Sequence, residues 1–227
     1  PDEAEAALKR AVETGVGQNT EATARAVLGR LYWDRGLVAL AEEQWMLALE
    51  RVPTEPLAQA GLAAAQARRG EVVAASEKVQ GLEQDAPEAL SVVPELMGKA
   101  LQDFEQSGLW FEDTAEAHLA YASLLLRVGR YAESVAPLRR VVQLNPEDYV
   151  AWNMIGSISA QLGRMARARE AFERSLEINP DQERTREALE SLPPAGSEPA
   201  EGDENGGEAA GTANQGSGTG ASSGNSK

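Results

Sequence analysis

An all-α solenoid of helix–turn–helix repeats is the fold class this sequence predicts, and three observations predict it. In residues 149–180, Trp152, Ile155, Gly156 and Ser159 recur at i, i+3, i+4 and i+7, one stripe of an α-helix. Gly163 breaks that run; Ala168, Phe172, Ser175 and Leu176 then form a second stripe, which Asn179-Pro180 ends. The third observation is a fixed period. Gly129 lies 34 residues before Gly163 and Pro146 lies 34 before Pro180, and Gly36–Gly70 and Pro53–Pro87 repeat the spacing. A single helical hairpin cannot bury both of its apolar stripes, so hairpins at one period imply stacking on one another.

Four copies follow from this register: residues 22–55, 56–89, 115–148 and 149–182. The first has Leu28-Gly29, Tyr32, Ala41, Trp45, Ala48 and Pro53 at the repeated positions, and the second keeps Leu62, Gly70, Ala75 and Pro87. The third places His118, Ala122 and Leu138 where the fourth has Trp152, Gly156 and Phe172. The pattern W-x2-I-G, then A-x3-F, then P, at this period resembles the tetratricopeptide repeat. That resemblance implies a right-handed solenoid (the TPR solenoid), a non-catalytic protein-interaction scaffold, and a concave groove in which peptides or helices bind.

The remaining elements follow from their own signals. Residues 1–21 contain a helix with acids in its first turn and an apolar stripe of Ala7, Leu8, Ala11 and Val12, which reads as a cap or as half of a truncated repeat. Residues 90–114 break the register. Within them Val93, Leu96, Met97, Ala100, Leu101 and Phe104 have helical spacing, with Pro94 suited to a first turn and Gly108 to the position past the last. Trp110 and Phe111 are expected to pack as a staple before a capping box, Asp113-x-x-Glu116. Pro137 falls inside a helix and should kink it. Residues 183–192 read as a polar-faced capping helix, whereas 193–227, with neither aromatic nor branched aliphatic residues, is expected to be disordered.

The formal charge is −15, and without the stretch from Ser191 onward, which holds five acids and one lysine, it is still −11. Such a surface repels phosphate backbones and anionic membranes, so nucleic acid is not an expected partner. No apolar run is long enough to span a bilayer. There is no cysteine, which excludes disulfides, thiol catalysis and thiolate metal sites and leaves cytoplasm and periplasm equally open. An excess of arginine over lysine, together with abundant alanine, is the usage of GC-rich bacterial genomes.

No catalytic set emerges. His118 is the sole histidine and holds a packing slot, the glycine cluster near the C-terminus lacks a flanking strand or helix, and the carboxylates scatter over helix faces. No cofactor, metal or enzymatic activity is therefore expected. At ~100° per residue, the face opposite the packing stripe of each first helix holds the groove candidates. In the first two copies these are Arg30, Trp33, Gly61 and Arg68; in the last two, Ser123, Arg127, Asn153, Ser157 and Gln161. Family members that grip chaperone C-termini use Lys, Asn and Arg in such slots. Here the slots hold Ala26, Arg30, Gly61, Glu116 and Ala120, so that activity is not expected. The groove of the first two copies is apolar and edged by Arg30 and Arg68, which suits an amphipathic helix: a partner's, or this chain's own residues 94–106. Trp152 is expected to be buried in the last interface. Two rival readings are kept: the helical end of a longer enzyme, and a module that self-associates through its end repeats into a homo-oligomer. Bacterial chains that resemble this one serve envelope, secretion or pilus assembly.

Overall fold

The computed structural model describes residues 2–14 and 17–194, and every regular element among them is helical. All but Pro193 and Pro194 of the segment expected to be disordered lies outside the described residues. The α-helices are α1 (Asp2–Thr14), α2 (Gln18–Asp34), α3 (Val38–Arg51), α4 (Pro56–Arg68) and α5 (Val72–Asp85). A 3-10 turn, Pro87–Ser91, precedes α6 (Val93–Ser107). The remainder are α7 (Ala115–Arg127), α8 (Tyr131–Leu144), α9 (Tyr149–Gln161), α10 (Met165–Ile178) and α11 (Glu183–Ser191). The pairs α2–α3, α4–α5, α7–α8 and α9–α10 are the hairpins of the four repeats, and the second helix of each packs on the first helix of the next.

Each hairpin turns at a glycine with positive φ: Gly36 at 76°, Gly70 at 81°, Gly129 at 76° and Gly163 at 75°. This left-handed conformation costs a side-chain-bearing residue energy and glycine almost none. In every turn the next N–H returns to a carbonyl five residues back: Leu37 to Tyr32 at 2.9 Å, Glu71 to Gln66 at 3.0 Å, Arg130 to Leu125 at 2.9 Å and Arg164 to Ser159 at 2.8 Å. The repeated glycines thus set identical reversals. The period in sequence becomes a period in space.

A second use of glycine is close approach. Trp45 is fully buried and its indole lies between Gly29 and Gly61, with Nε1 donating to the Ala26 carbonyl at 3.1 Å. A Cβ on Gly29 would sit 2.5 Å from Trp45 Nε1, and one on Gly61 would sit 2.3 Å from Trp45 Cε2. Gly61 therefore faces the interface with the first repeat, and its assignment to the groove by helical arithmetic is corrected. Gly156 serves Phe172 in the same way, at 2.5 Å from Cδ1. The third repeat needs no glycine there, because Leu138 is slimmer and Ala122 fits against it, both fully buried.

Several local expectations are corrected. The first helix of the first repeat starts at Gln18, ahead of residue 22. The cap of α7 is Thr114, whose hydroxyl accepts from Ala117 N at 3.1 Å, while Asp113 is engaged with Arg140 and His118. Trp152 is only half-buried, with Nε1 donating to the Pro146 carbonyl at 3.0 Å. Its ring covers the edge of the interface instead of filling it. Trp110 is 91% exposed, so only Phe111 packs back. Pro137 lies inside α8, where the sequence placed it, and is itself buried.

Two apolar cores result. One joins α2 to α7 and includes Val93, Leu96, Met97, Ala100 and Leu101 of α6; the other joins α7 to α10. At the N-terminal end α1 lies on α2 with Leu8, Ala11 and Val12 half-buried, while Ala7 stays exposed. Glu5 fastens it, accepting from Tyr32 Oη at 3.1 Å and pairing with Arg35 at 2.5 Å and Lys9 at 2.7 Å. These cations, Lys9 foremost, hold the Glu5 carboxyl down at about 2.

Candidate functional site

The inner face of a repeat array is the face of its first helices turned away from their hairpin partners. In the second repeat that face is filled by α6, which reaches the first repeat only at the C-terminal end of α2, around Arg30 and Trp33, and leaves Thr23 and Val27 exposed. Val93, Leu96, Met97, Ala100, Leu101 and Phe104 are all buried, and α6 packs across α4. This is the apolar stripe read from the sequence, placed on the groove that suited it. Burying five large apolar side chains and an alanine contributes on the order of 10 kcal/mol as an upper bound.

Charged groups at the edges set the register of α6. Arg30 on α2 pairs with Glu95 and, at 3.0 Å, with its own helix neighbour Asp34. Arg68 Nε on α4 lies 2.9 Å from Asp103 Oδ2. Lys99 Nζ donates to the Trp33 carbonyl at 2.7 Å and sits 5.7 Å from the centroid of the Trp33 ring. Partly exposed pairs like these are worth at most about 1 kcal/mol each, so they orient the helix and the apolar stripe holds it.

Three groove candidates are thereby spoken for. Arg30 and Arg68 serve as partners of α6, and Trp33 is 1% exposed, packed on Trp45 with ring centroids 5.6 Å apart. As an anchor for an incoming peptide Trp33 is corrected: its face is already covered. The other five candidates lie beyond α6. Ser123 donates to the Leu119 carbonyl at 2.9 Å, and Arg127 pairs with Glu83 on α5. On α9, Ser157 donates to the Asn153 carbonyl at 3.0 Å, Ser157 and Gln161 are exposed, and Val150 is 46% exposed. α9 packs on α8 and α10, so its inner face carries no covering helix among the described residues.

Sequence reading missed the joint between α6 and α7. Phe104, Phe111, Tyr121 and His118 form one aromatic cluster, with Phe111 centroids 6.1, 5.2 and 5.1 Å from Phe104, Tyr121 and His118. Burial first, and then the Glu105 carboxylate that accepts from its hydroxyl, push the Tyr121 phenol well above its ordinary range. The Arg140 guanidinium, with His118, holds the Asp113 carboxyl well below the usual carboxylate range. A cavity of about 650 Å³ opens beside the cluster, with Leu109, Trp110 and Pro137 on its walls. His118 is a packing residue here, its Nε2 2.8 Å from Asp113 Oδ1.

The family model for the tetratricopeptide repeat matches residues 1–56, 99–149 and 119–183, more than half of the chain. This chain belongs to the tetratricopeptide repeat family. Among solved structures, this repeat protein is similar to MamA, at 16% identity and TM-score 0.42 over 71% of this chain and 80% of that one. It is also similar to PilF of Pseudomonas aeruginosa, at 24% identity and TM-score 0.37 over 76% and 68%. A third similar structure is YrrB, described as a TPR protein with an unusual peptide-binding site, at 17% identity and TM-score 0.36 over 81% and 98%. No curated protein sequence matches. The repeat architecture makes this protein an interaction scaffold, and no helix among the described residues is long and apolar enough to cross a membrane.

Proposed function

We propose that this tetratricopeptide repeat protein is a non-catalytic scaffold that binds a partner's peptide or amphipathic helix on its inner face, along α7 and α9. The observation that carries the reading is α6 itself. It is an amphipathic helix whose buried stripe is held in cis, chiefly by the inner face of the second repeat. The same face of the last two repeats offers half-buried Leu119, Leu126 and Met154 between the polar Ser123, Asn153, Ser157 and Gln161. The buried stripe of α6 makes it part of the core of the first repeats, so this reading takes α6 as a wall of the groove.

The test is a peptide-display selection against the full chain, followed by substitution on both faces. Selected peptides should lose at least about tenfold in affinity on Ser157→Arg together with Asn153→Ala, and be indifferent to Glu173→Ala on the outer side. Peptides that bind the inner-face variant as tightly as the parent chain would overturn the reading.

A further inference from the structure

Two features at the joint between α6 and α7 lack what the other supplies, and the scaffold reading uses neither. One is the cavity of about 650 Å³ beside the aromatic cluster, walled by Phe104, Leu109, Phe111 and Pro137, a mainly apolar lining of the size that takes an organic group. The other is Trp110 on the border of that cavity. It is 91% exposed, the most exposed large apolar side chain among the described residues, and Leu109 beside it is 51% exposed.

A single chain does not bring the two together. Phe111 takes the inward place in the segment between α6 and α7, its ring centroid 6.1 Å from that of Phe104 and 5.2 Å from that of Tyr121. Neighbouring residues of an extended segment point to opposite sides, so Trp110 turns inward only if Phe111 is withdrawn. The backbone at Trp110 is itself packed on the turn between α4 and α5, where a Cβ on Gly70 would lie 3.5 Å from the Trp110 carbonyl oxygen.

A second copy joins them without rearrangement. The plug and part of the socket belong to one short segment, since Gly108, Leu109, Trp110 and Phe111 all border the cavity. A two-fold axis beside that segment brings the Trp110 of each copy to the cavity of the other, and such a contact closes at two chains. The carboxylates in the wall do not oppose the approach, because Glu105 is paired with Arg130 at 2.9 Å and Asp113 with Arg140.

We propose that this cavity is the docking site for Trp110 of a second copy of the chain, giving a two-fold dimer. Each indole removes ~200 Å² from water, and with the walls they cover the two contacts bury about 800 Å². That is below the ~1,200 Å² of stable complexes, so the dimer is transient, with half-association on the order of 100 μM. Both copies carry a formal charge of −15, so association strengthens with salt.

Sedimentation velocity on the full-length chain, from ~5 to ~500 μM, tests this against two variants. Trp110→Ala removes the plug, and Ala136→Phe, at an exposed position on the cavity wall, fills the socket. Both should keep the urea midpoint of the parent. The parent's mass should rise towards that of two chains and stop there, and each variant should lose at least about tenfold in association. Emission of the parent should shift to the blue as it associates, since Trp33 and Trp45 are buried already and Trp152 is half-buried; the shift should be absent from Trp110→Ala. A parent that stays monomeric across the range leaves the cavity to another occupant and overturns the proposal. So does either variant associating as tightly as the parent, or a mass that climbs past two chains. Blue emission independent of concentration would place the indole in its own chain's cavity, with the same consequence.

Discussion

Adding one methyl group at Gly61 inverts the usual effect of a glycine-to-alanine change in a helix. In a helix interior alanine is favoured over glycine by about 1 kcal/mol. At Gly61 the new Cβ would lie 2.3 Å from Cε2 and 2.5 Å from Cδ2 of Trp45, well inside van der Waals contact. The indole has nowhere to retreat, because it also lies against Gly29, where even a Cβ would sit 2.5 Å from Nε1, and Nε1 is bonded to the Ala26 carbonyl at 3.1 Å. Overpacking a site this rigid costs ~3 kcal/mol, the upper end of the usual range. Gly61→Ala should therefore destabilise by ~2 kcal/mol net. Gly81 in α5 is the control, since a Cβ there meets no atom within 4 Å. Gly81→Ala should stabilise by up to ~1 kcal/mol. Urea titrations followed by circular dichroism give both values with a shared slope. If both variants move in the stabilising direction, the indole is not wedged between the two glycines and the account of the first interface fails.

The two large aromatics of the last repeat should separate by burial: Phe172→Ala costs ~3–5 kcal/mol and half-buried Trp152→Ala ~1 kcal/mol, and equal losses in the same urea titration would contradict the packing described. Leu101→Ala, which empties a fully buried position of α6, should cost ~2–5 kcal/mol; a neutral result would mean that α6 rests on the array without being part of it. In amide exchange α6 should be protected to the same degree as α4, and rapid exchange across α6 would show an open groove. Glu5 titrates at about 2 when folded against 4.5 ordinarily, so its contribution to docking α1 is complete above ~4.5 and is lost as the pH falls through about 2. A carboxyl titration by NMR that places Glu5 near 4.5 would contradict its contacts with Lys9 and Arg35.

The repeats were legible because the residues that make them act locally. A glycine with φ near 76° is needed wherever the hairpin reverses, and its spacing shows in the sequence without knowledge of the partners. The stripe of α6 was legible for the same reason. Where that helix folds back was not, since an amphipathic stripe specifies an apolar surface and not which one. For that reason Arg30, Trp33 and Arg68 were read as groove residues when they are partners of α6. Trp110 illustrates the opposite limit. It adjoins Phe111, yet neighbouring residues in an extended segment point to opposite sides, so one packs and the other is exposed. Arginines cluster in the sequence at Arg139-Arg140 and again at Arg164 and Arg167. Only the placement of α8 beside the start of α10 brings those two groups together.

In an ordinary stack of repeats each unit touches only its neighbours, so its stability is a sum of local and nearest-neighbour terms, and melting can begin at one end and run inward. The helix laid over α4, tied to the end of α2 through Glu95 and Lys99 and joined through Phe104 to Phe111 and Tyr121, adds a strap between units that a plain stack would leave independent. The first two hairpins and α7 are thereby fused into a block that should come apart in one step, while α9, α10 and α11 keep the freedom to fray separately. A chain built from modular pieces would then unfold as a compact globule over its first part and as a ladder over its last.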